Sequence, residues 1–333
     1  MSSMIKIAVD AMGGDNSPKK IIDGILHHYK SNKEIFYQIF GDESIIKGLI
    51  ENKIDNKNYK IINTLNRVSS EDSPLEGAKR GKDTSMWLAI ESVKKKESDI
   101  VISAGNTGAL LVISKLNLKM LENIDKPALS ALWPNKKGMS VVLDLGANIE
   151  CNSKNLTDFS IMGASLYKSL YPSETPNVAL LNIGSEELKG NETIKETFKI
   201  LNDKDNNDFN FSGYIEGNEL MNGEINVIVA DGFTGNVALK TAEGTANFIT
   251  SELKKALQGN LMGKISSFLN IMNLRKFKQR LDPRLYNGAI FIGLDSPVVK
   301  SHGGTDYIGF SNSLEVCCKI IKGNLIEKIK KNI

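Results

Sequence analysis

Short runs of consecutive apolar, often β-branched residues alternate along this chain with longer stretches in which apolar positions recur at helical spacing. Ile5–Val9, Phe36–Phe40, Lys60–Asn63, Asp99–Ser103, Ser140–Leu145, Val178–Ile183, Ile225–Val229 and Ala289–Leu294 read as strands. Most are apolar throughout, the pattern of strands covered on both faces. Pro18–Tyr29, Thr84–Lys95, Thr107–Leu121, Thr157–Tyr171, Glu192–Asn202, Val237–Gln258 and Ser311–Lys331 read as the helices between them, and the polar stretch Asn202–Asn210 as a surface loop. This succession predicts an α/β fold: a three-layer, mostly parallel sheet with helices on both faces. The 333 residues are expected to form a single α/β domain over 1–333, with a helical pair at about 252–286 protruding from it.

In such sheets ligands bind beyond the carboxyl ends of strands, and five of the strands end in glycine-containing turns. The first is Asp10-Ala11-Met12-Gly13-Gly14-Asp15, with Pro18 placed to start a helix. Gly13 and Gly14 let backbone approach a ligand, and the helix start offers free N–H groups; a plain tight turn fits as well. Ala104-Gly105-Asn106-Thr107-Gly108-Ala109 follows the Asp99–Ser103 strand and adds Asn106 and Thr107 as donors. It suits an anion cradle but has neither the P-loop lysine nor dinucleotide-fingerprint spacing. Asp144-Leu145-Gly146-Ala147-Asn148 and Asn182–Gly190 end two more strands. The strongest turn is Asp231-Gly232-Phe233-Thr234-Gly235-Asn236, where side-chain donors join consecutive backbone amides that can face a tetrahedral oxyanion. These turns are expected on one rim of the sheet.

Composition narrows the classes. Mean hydropathy is −0.20, and no apolar run reaches the roughly 18 residues of a spanning helix. Met1–Asp10 carries neither the charged start nor the apolar stretch of a secretory signal, so none is expected. Cys151, Cys317 and Cys318 cannot make a disulfide framework, which suggests a reduced, cytoplasmic setting. Three cysteines and three histidines are too few for an expected zinc site, and a net charge of +3 does not argue for nucleic acid.

Charge does concentrate between Glu252 and Arg284. Lys254, Lys255, Lys264, Arg275, Lys276, Lys278, Arg280 and Arg284 face only Glu252 and Asp282, interleaved with Leu253, Leu257, Leu261, Ile265, Phe268 and Met272 at helical spacing. Gly259 and Gly263 suggest a bend between two amphipathic helices. Three readings stand at this point: an anionic membrane surface, an acidic protein partner, or a dimer interface.

Taken together, Ile7–Asp15, Ser103–Leu110, Leu143–Asn148, Leu181–Gly184, Lys189-Gly190, a Tyr214–Gly217 turn and Asp231–Val237 resemble, in order and over nearly the whole chain, the bacterial phosphate acyltransferase family. The resemblance implies a homodimer with a fold similar to phosphotransacetylases and isopropylmalate-type dehydrogenases. It implies transfer of a fatty acyl group from acyl carrier protein (ACP) to inorganic phosphate, the acyl phosphate then serving a membrane glycerol-3-phosphate acyltransferase in phospholipid synthesis. Phosphate is itself the nucleophile in that reaction, so the enzyme supplies positioning and oxyanion stabilisation.

Lys189, in the family's Lys-Gly motif, and Asn236 are the expected catalytic residues: a cation for phosphate or oxyanion, and a neutral donor. Substrate contacts are expected from Asp10, Gly13, Gly14, Asp15, Gly105, Asn106, Thr107, Gly108, Asn148, Asp231, Gly232, Thr234 and Gly235. Arg80, Lys82 and Ser85 resemble the family's basic segment before a helix and read either as phosphate contacts or as a solvated face. His302 reads as a site residue or a structural turn histidine; here it opens His302-Gly303-Gly304-Thr305 where the family commonly has His-Gly-Ser-Ser, which puts a hydroxyl role there in doubt. For the basic stretch, with Lys264, Phe268, Arg275, Lys276 and Lys278 as contacts, the resemblance favours ACP docking and peripheral attachment to an anionic membrane. No cofactor is required. Asp10, Asp15, Asp144 and Asp231 either offer carboxylates to magnesium or brace neighbouring loops. A phosphotransacetylase acting on coenzyme A thioesters and a non-catalytic lipid-surface scaffold are the alternatives.

Overall fold

Residues such as Ile7, Val9, Ile100, Ile102, Val178 and Leu180 have no polar face to offer water, and each is buried. The computed structural model, which describes residues 4–203, 208–259, 266 and 268–333, places them in one sheet. Among the described residues its strands are β1 (Lys6–Asp10), β2 (Phe36–Gly41), β3 (Tyr59–Asn63), β4 (Ile100–Ser103), β5 (Ala128–Pro134), β6 (Met139–Leu143), β7 (Asn177–Asn182), β8 (Asn210–Glu216), β9 (Val227–Val229), β10 (Ala289–Ile292) and β11 (Val298–Lys300). The helices are α1 (Lys19–Tyr29), α2 (Glu43–Ile50), α3 (Pro74–Lys79), α4 (Ser85–Lys94), α5 (Thr107–Asn117), α6 (Ser153–Leu170), α7 (Glu192–Asp203), α8 (Gly232–Gln258), α9 (Ile271–Arg280), α10 (Tyr307–Lys322) and α11 (Leu325–Asn332).

Both faces of the sheet are covered, as the unbroken apolar strands require. On β1, Ile7 and Val9 join the core made with Ile21 and Ile25 of α1 and Phe310 and Leu314 of α10. Ala8, pointing the other way, packs in a second core with Ile90 of α4 and Ile113 of α5. A third cluster sets Val142 and Ile228 against the first turns of α8.

The strand order is β3-β2-β1-β4-β11-β10-β5-β6-β9-β7-β8. Pairing is parallel from β3 to β11 and again from β6 to β8. The three junctions between, β11/β10, β10/β5 and β5/β6, are antiparallel. Three reversals make the two parallel halves run in opposite senses. The glycine turns therefore do not share one rim: those after β1 and β4 cap one half, and those after β6, β7 and β9 cap the other. The missing information was β5, whose run is broken by Ser130 and closed by Pro134, and the three-residue β11.

Helix ends also moved for identifiable reasons. The Asn152–Asn155 capping box starts α6 ahead of Thr157, and Asn324, at φ 51°, splits the expected C-terminal helix into α10 and α11. Tyr214–Glu216 complete β8 instead of forming a turn. The strongest glycine turn is itself the first turn of α8, capped by Asp231.

Beyond Lys240 most described residues of α8 are exposed, and so is all of α9 except Leu274. The two helices share an apolar groove lined by Leu253, Leu257, Leu274 and Phe277. Outside the groove, Phe268 is 75% and Met272 71% exposed. Arg275, Lys276 and Lys278 are exposed on α9, and Lys264 lies outside the described residues. Among the described residues no helix is long and apolar enough to cross a membrane.

Candidate active site

At the first rim, the turns after β1 and β4 are locked together by Asp10. Its buried carboxylate accepts hydrogen bonds from Ser103 Oγ (2.6 Å), Ser85 Oγ (2.7 Å) and the Met12 N–H (3.2 Å). Burial raises the Asp10 pKa, while the hydroxyls act in the opposite direction. A Cβ on Gly13 would stand 2.6 Å from the Gly105 nitrogen, so glycine there is a packing requirement. Ser85, read as either a phosphate contact or part of a solvated face, is buried and donates to Asp10.

Asn106 is likewise committed. Its Oδ1 caps α5 by accepting from the Ala109 N–H (3.0 Å), and its Nδ2 donates to the Asp72 carbonyl (2.8 Å). Gly108 makes room for Pro74, whose Cγ a Cβ would approach to 2.5 Å. Arg80 forks onto the Asp72 carboxylate and holds it below the usual range, while Lys82 and Thr107 are exposed. The Asp15 N–H donates to the Gly303 carbonyl (3.1 Å), drawing the 302–305 turn onto this rim. His302 Nδ1 accepts from the Gly304 N–H (3.1 Å), and the His302 N–H donates to Asn287 Oδ1 (2.9 Å). Loss of hydration and then the Lys300 ammonium lower its imidazole pKa, so the ring is a neutral turn acceptor. Lys20 and Lys300, both buried beneath this turn, were missed because each stands at the end of an element beside an apolar run, where a lysine reads as solvated.

The second rim is organised by Asp144. Its fully buried carboxylate accepts from the N–H groups of Leu129 (2.9 Å), Gly146 (3.2 Å), Ala147 (3.0 Å) and Asn148 (2.7 Å), and from Asn148 Nδ2 (2.9 Å). Asn148 Nδ2 also reaches the Pro127 carbonyl (2.7 Å). The braced loop then seats α8: the Gly232 N–H donates to the Asn148 carbonyl (2.8 Å), and a Cβ on Gly235 would fall 1.9 Å from the Asp144 carbonyl oxygen. Asp231 caps the helix by accepting from the Thr234 N–H (2.8 Å) and hydroxyl (2.9 Å).

An open cleft of about 420 Å³ runs between these turns, lined by Glu150, Cys151, Asn191, Thr193, Phe233 and Thr234. Asn236 projects from the first turn of α8 beside Gly146, whose Cβ would stand 3.6 Å from Asn236 Cγ. Its side chain is exposed and makes no hydrogen bond among the described residues. Lys189 ends a tight turn in which its N–H donates to the Glu186 carbonyl (2.9 Å) and Asn182 Nδ2 donates to the carbonyls of Gly184 (3.1 Å) and Lys189 (3.2 Å). Two residues before cleft-lining Asn191, the Lys189 ammonium is exposed and unpaired among the described residues. Several donors named from the sequence, among them Ser85, Asn106, Asn148 and Thr234, are thus consumed in building the turns, whereas Asn236 and Lys189 beside the cleft, like Lys82 and Thr107 at the first rim, make no side-chain hydrogen bond among the described residues. Glu243 and Lys240 of α8 lie close enough to the first rim for their charges to act on His302. Among the described residues no group of three or more carboxylate, histidine or cysteine side chains is arranged to hold a metal ion.

This architecture is that of the phosphotransacetylases. A solved phosphotransacetylase from Streptococcus pyogenes superposes with a TM-score of 0.63, covering 98% of this chain and 95% of that one at 15% identity. Residues 5–328 match the family described as "Fatty acid synthesis protein". A phosphate acyltransferase from Pelagibacter ubique is 78% identical over the full length of both chains. One from Rhodospirillum rubrum is 43% identical over all of this chain and 95% of its own. The chain belongs to this family of phosphate acyltransferases.

Proposed function

We propose that this protein transfers a fatty acyl group from acyl-ACP to inorganic phosphate, forming acyl phosphate for glycerol-3-phosphate acylation. A phosphate oxygen attacks the thioester carbonyl, the tetrahedral oxyanion collapses, the C–S bond breaks, and the departing thiolate takes up a proton. The Asn236 amide donates to the oxyanion, and Lys189 balances charge on phosphate and oxyanion. The observation carrying this reading is that Asn236 and Lys189 are exposed, unengaged donors flanking a cleft in which the Asn191, Asp231 and Thr234 side chains are held in caps. Cys151 fits no nucleophilic role, because burial and then the Asp144 charge push its thiol up to about 11. The reading is tested by comparing donors. Phosphate-dependent thiol release is expected from long-chain acyl-ACP and not from acetyl-CoA; the reverse preference would make the protein a short-chain phosphotransacetylase.

The α8–α9 pair supports a second part of the proposal. Its exposed Phe268 beside Arg275, Lys276 and Lys278 fits an acidic carrier protein and an anionic bilayer surface, both reached by a homodimer working peripherally at the membrane. Replacing the three cations by glutamate is expected to weaken binding to anionic vesicles and to raise KM for acyl-ACP. Neither quantity changing would leave self-association as the use of this surface.

A further inference from the structure

Lys20, on the second residue of α1, is 7% exposed, and Lys300, the last residue of β11, is 8% exposed. Lysine rarely tolerates such burial without a partner. Yet neither ammonium forms an ion pair among the described residues: Lys20 Nζ donates to the Gly303 carbonyl and Lys300 Nζ to the Ser301 carbonyl. Each keeps donor capacity beyond that one bond. Asp10 and Asp15 attract them without forming an ion pair among the described residues: the Asp10 carboxylate accepts from Ser85 and Ser103, and Asp15 is exposed to solvent screening. Around them lie the close-packed glycine turns of β1 and β4, with Gly303 completing the wall.

Building on the acyltransferase reading, we infer that Lys20 and Lys300 hold a phosphate group between them at the carboxyl ends of β1, β4 and β11. Two buried like charges, faced by one buried carboxylate (Asp10) and one solvent-screened carboxylate (Asp15), keep unspent donor capacity, and a phosphate oxyanion fills it with charge-assisted hydrogen bonds. Without the anion the cluster sheds charge: burial first and then the Lys20 ammonium lower Lys300 to about 8, against the pull of Asp10, and burial lowers Lys20 against the pull of Asp15. An arriving anion restores the proton.

The test is calorimetric titration of inorganic phosphate into the full-length protein at pH 8, in buffers of different ionisation enthalpy. Wild type is expected to bind phosphate with uptake of a fraction of a proton. Lys300→Met and Lys20→Met, which keep the stem and remove the charge, should each weaken binding about tenfold or more without lowering the Tm of the phosphate-free protein. Unchanged phosphate affinity with a tenfold rise in KM for acyl-ACP at unchanged Tm would identify the held group as a phosphodiester of the donor. Unchanged affinity, proton uptake and KM in both variants, or a lower Tm with unchanged affinity, would overturn the inference. Because binding is read without turnover, a wild type that binds phosphate yet transfers no acyl group would count against the acyltransferase reading alone.

Discussion

Asn236→Ala is expected to lower kcat by about a hundredfold or more, the usual consequence of removing one oxyanion donor, while Tm stays essentially at the wild-type value. The two halves of this result have separate causes. Asn236 is exposed and hydrogen-bonds to nothing among the described residues, so its truncation costs folding no more than roughly 0.5 kcal/mol, as for an ordinary surface change. Its backbone position is fixed by Asp231 and by the contact of Gly235 with the 144–148 loop, so the amide is held in place without being used by the fold. Lys189→Ala should behave similarly, with the larger share of its loss in KM for phosphate if its contact is present in the ground state. Steady-state kinetics and a thermal melt on the same preparations check both. An Asn236→Ala enzyme with near-normal turnover would remove that residue from the chemistry.

Asp144→Ala should do the opposite, destabilising the protein by about 3–5 kcal/mol: four part-buried N–H groups lose their acceptor at roughly 1 kcal/mol or more each, offset in part by no longer burying the carboxylate. The carboxylate joins the start of β5 through the Leu129 N–H to the loop that leaves β6. That loop seats Gly232 and abuts Asn236, so the damage extends from the sheet to the active-site donor. Denaturant unfolding should show a lower midpoint, and residual activity should fall with it. Burial raises the Asp144 pKa, opposed by its backbone donors, which makes this aspartate a costly brace retained for the turn it organises. A wild-type midpoint in Asp144→Ala would show that the loop stands without it.

The contrast between these residues also shows how far the fold and site could be read from the chain. Most parallel strands were legible because burial on both faces demands unbroken apolar runs such as Ile100–Ile102 and Val227–Val229; the edge strand β8, with its half-exposed alternating pattern, was not. The antiparallel centre was not, because β5 mixes Ser130 and Pro134 into its run and β11 has three residues. The opposed directions of the two halves depend on those strands alone. Glycine turns pointed to the correct places, but not to which of their polar residues were free. Asn106, Asn148 and Thr234 look like donors in a sequence and are consumed by caps and braces in space. The buried lysines were hidden for the converse reason: only the tertiary approach of α1 to the Gly303 turn that follows β11 removes them from water.

The central claim is that inorganic phosphate attacks the thioester directly, and its most direct measurement is the product balance with long-chain acyl-ACP. Purified protein, acyl-ACP and 18O-labelled phosphate should yield acyl phosphate and free ACP thiol in equal amounts, with the label in the acyl phosphate and no thiol released when phosphate is omitted. Thiol released without phosphate, or with fatty acid in place of labelled acyl phosphate, would contradict it.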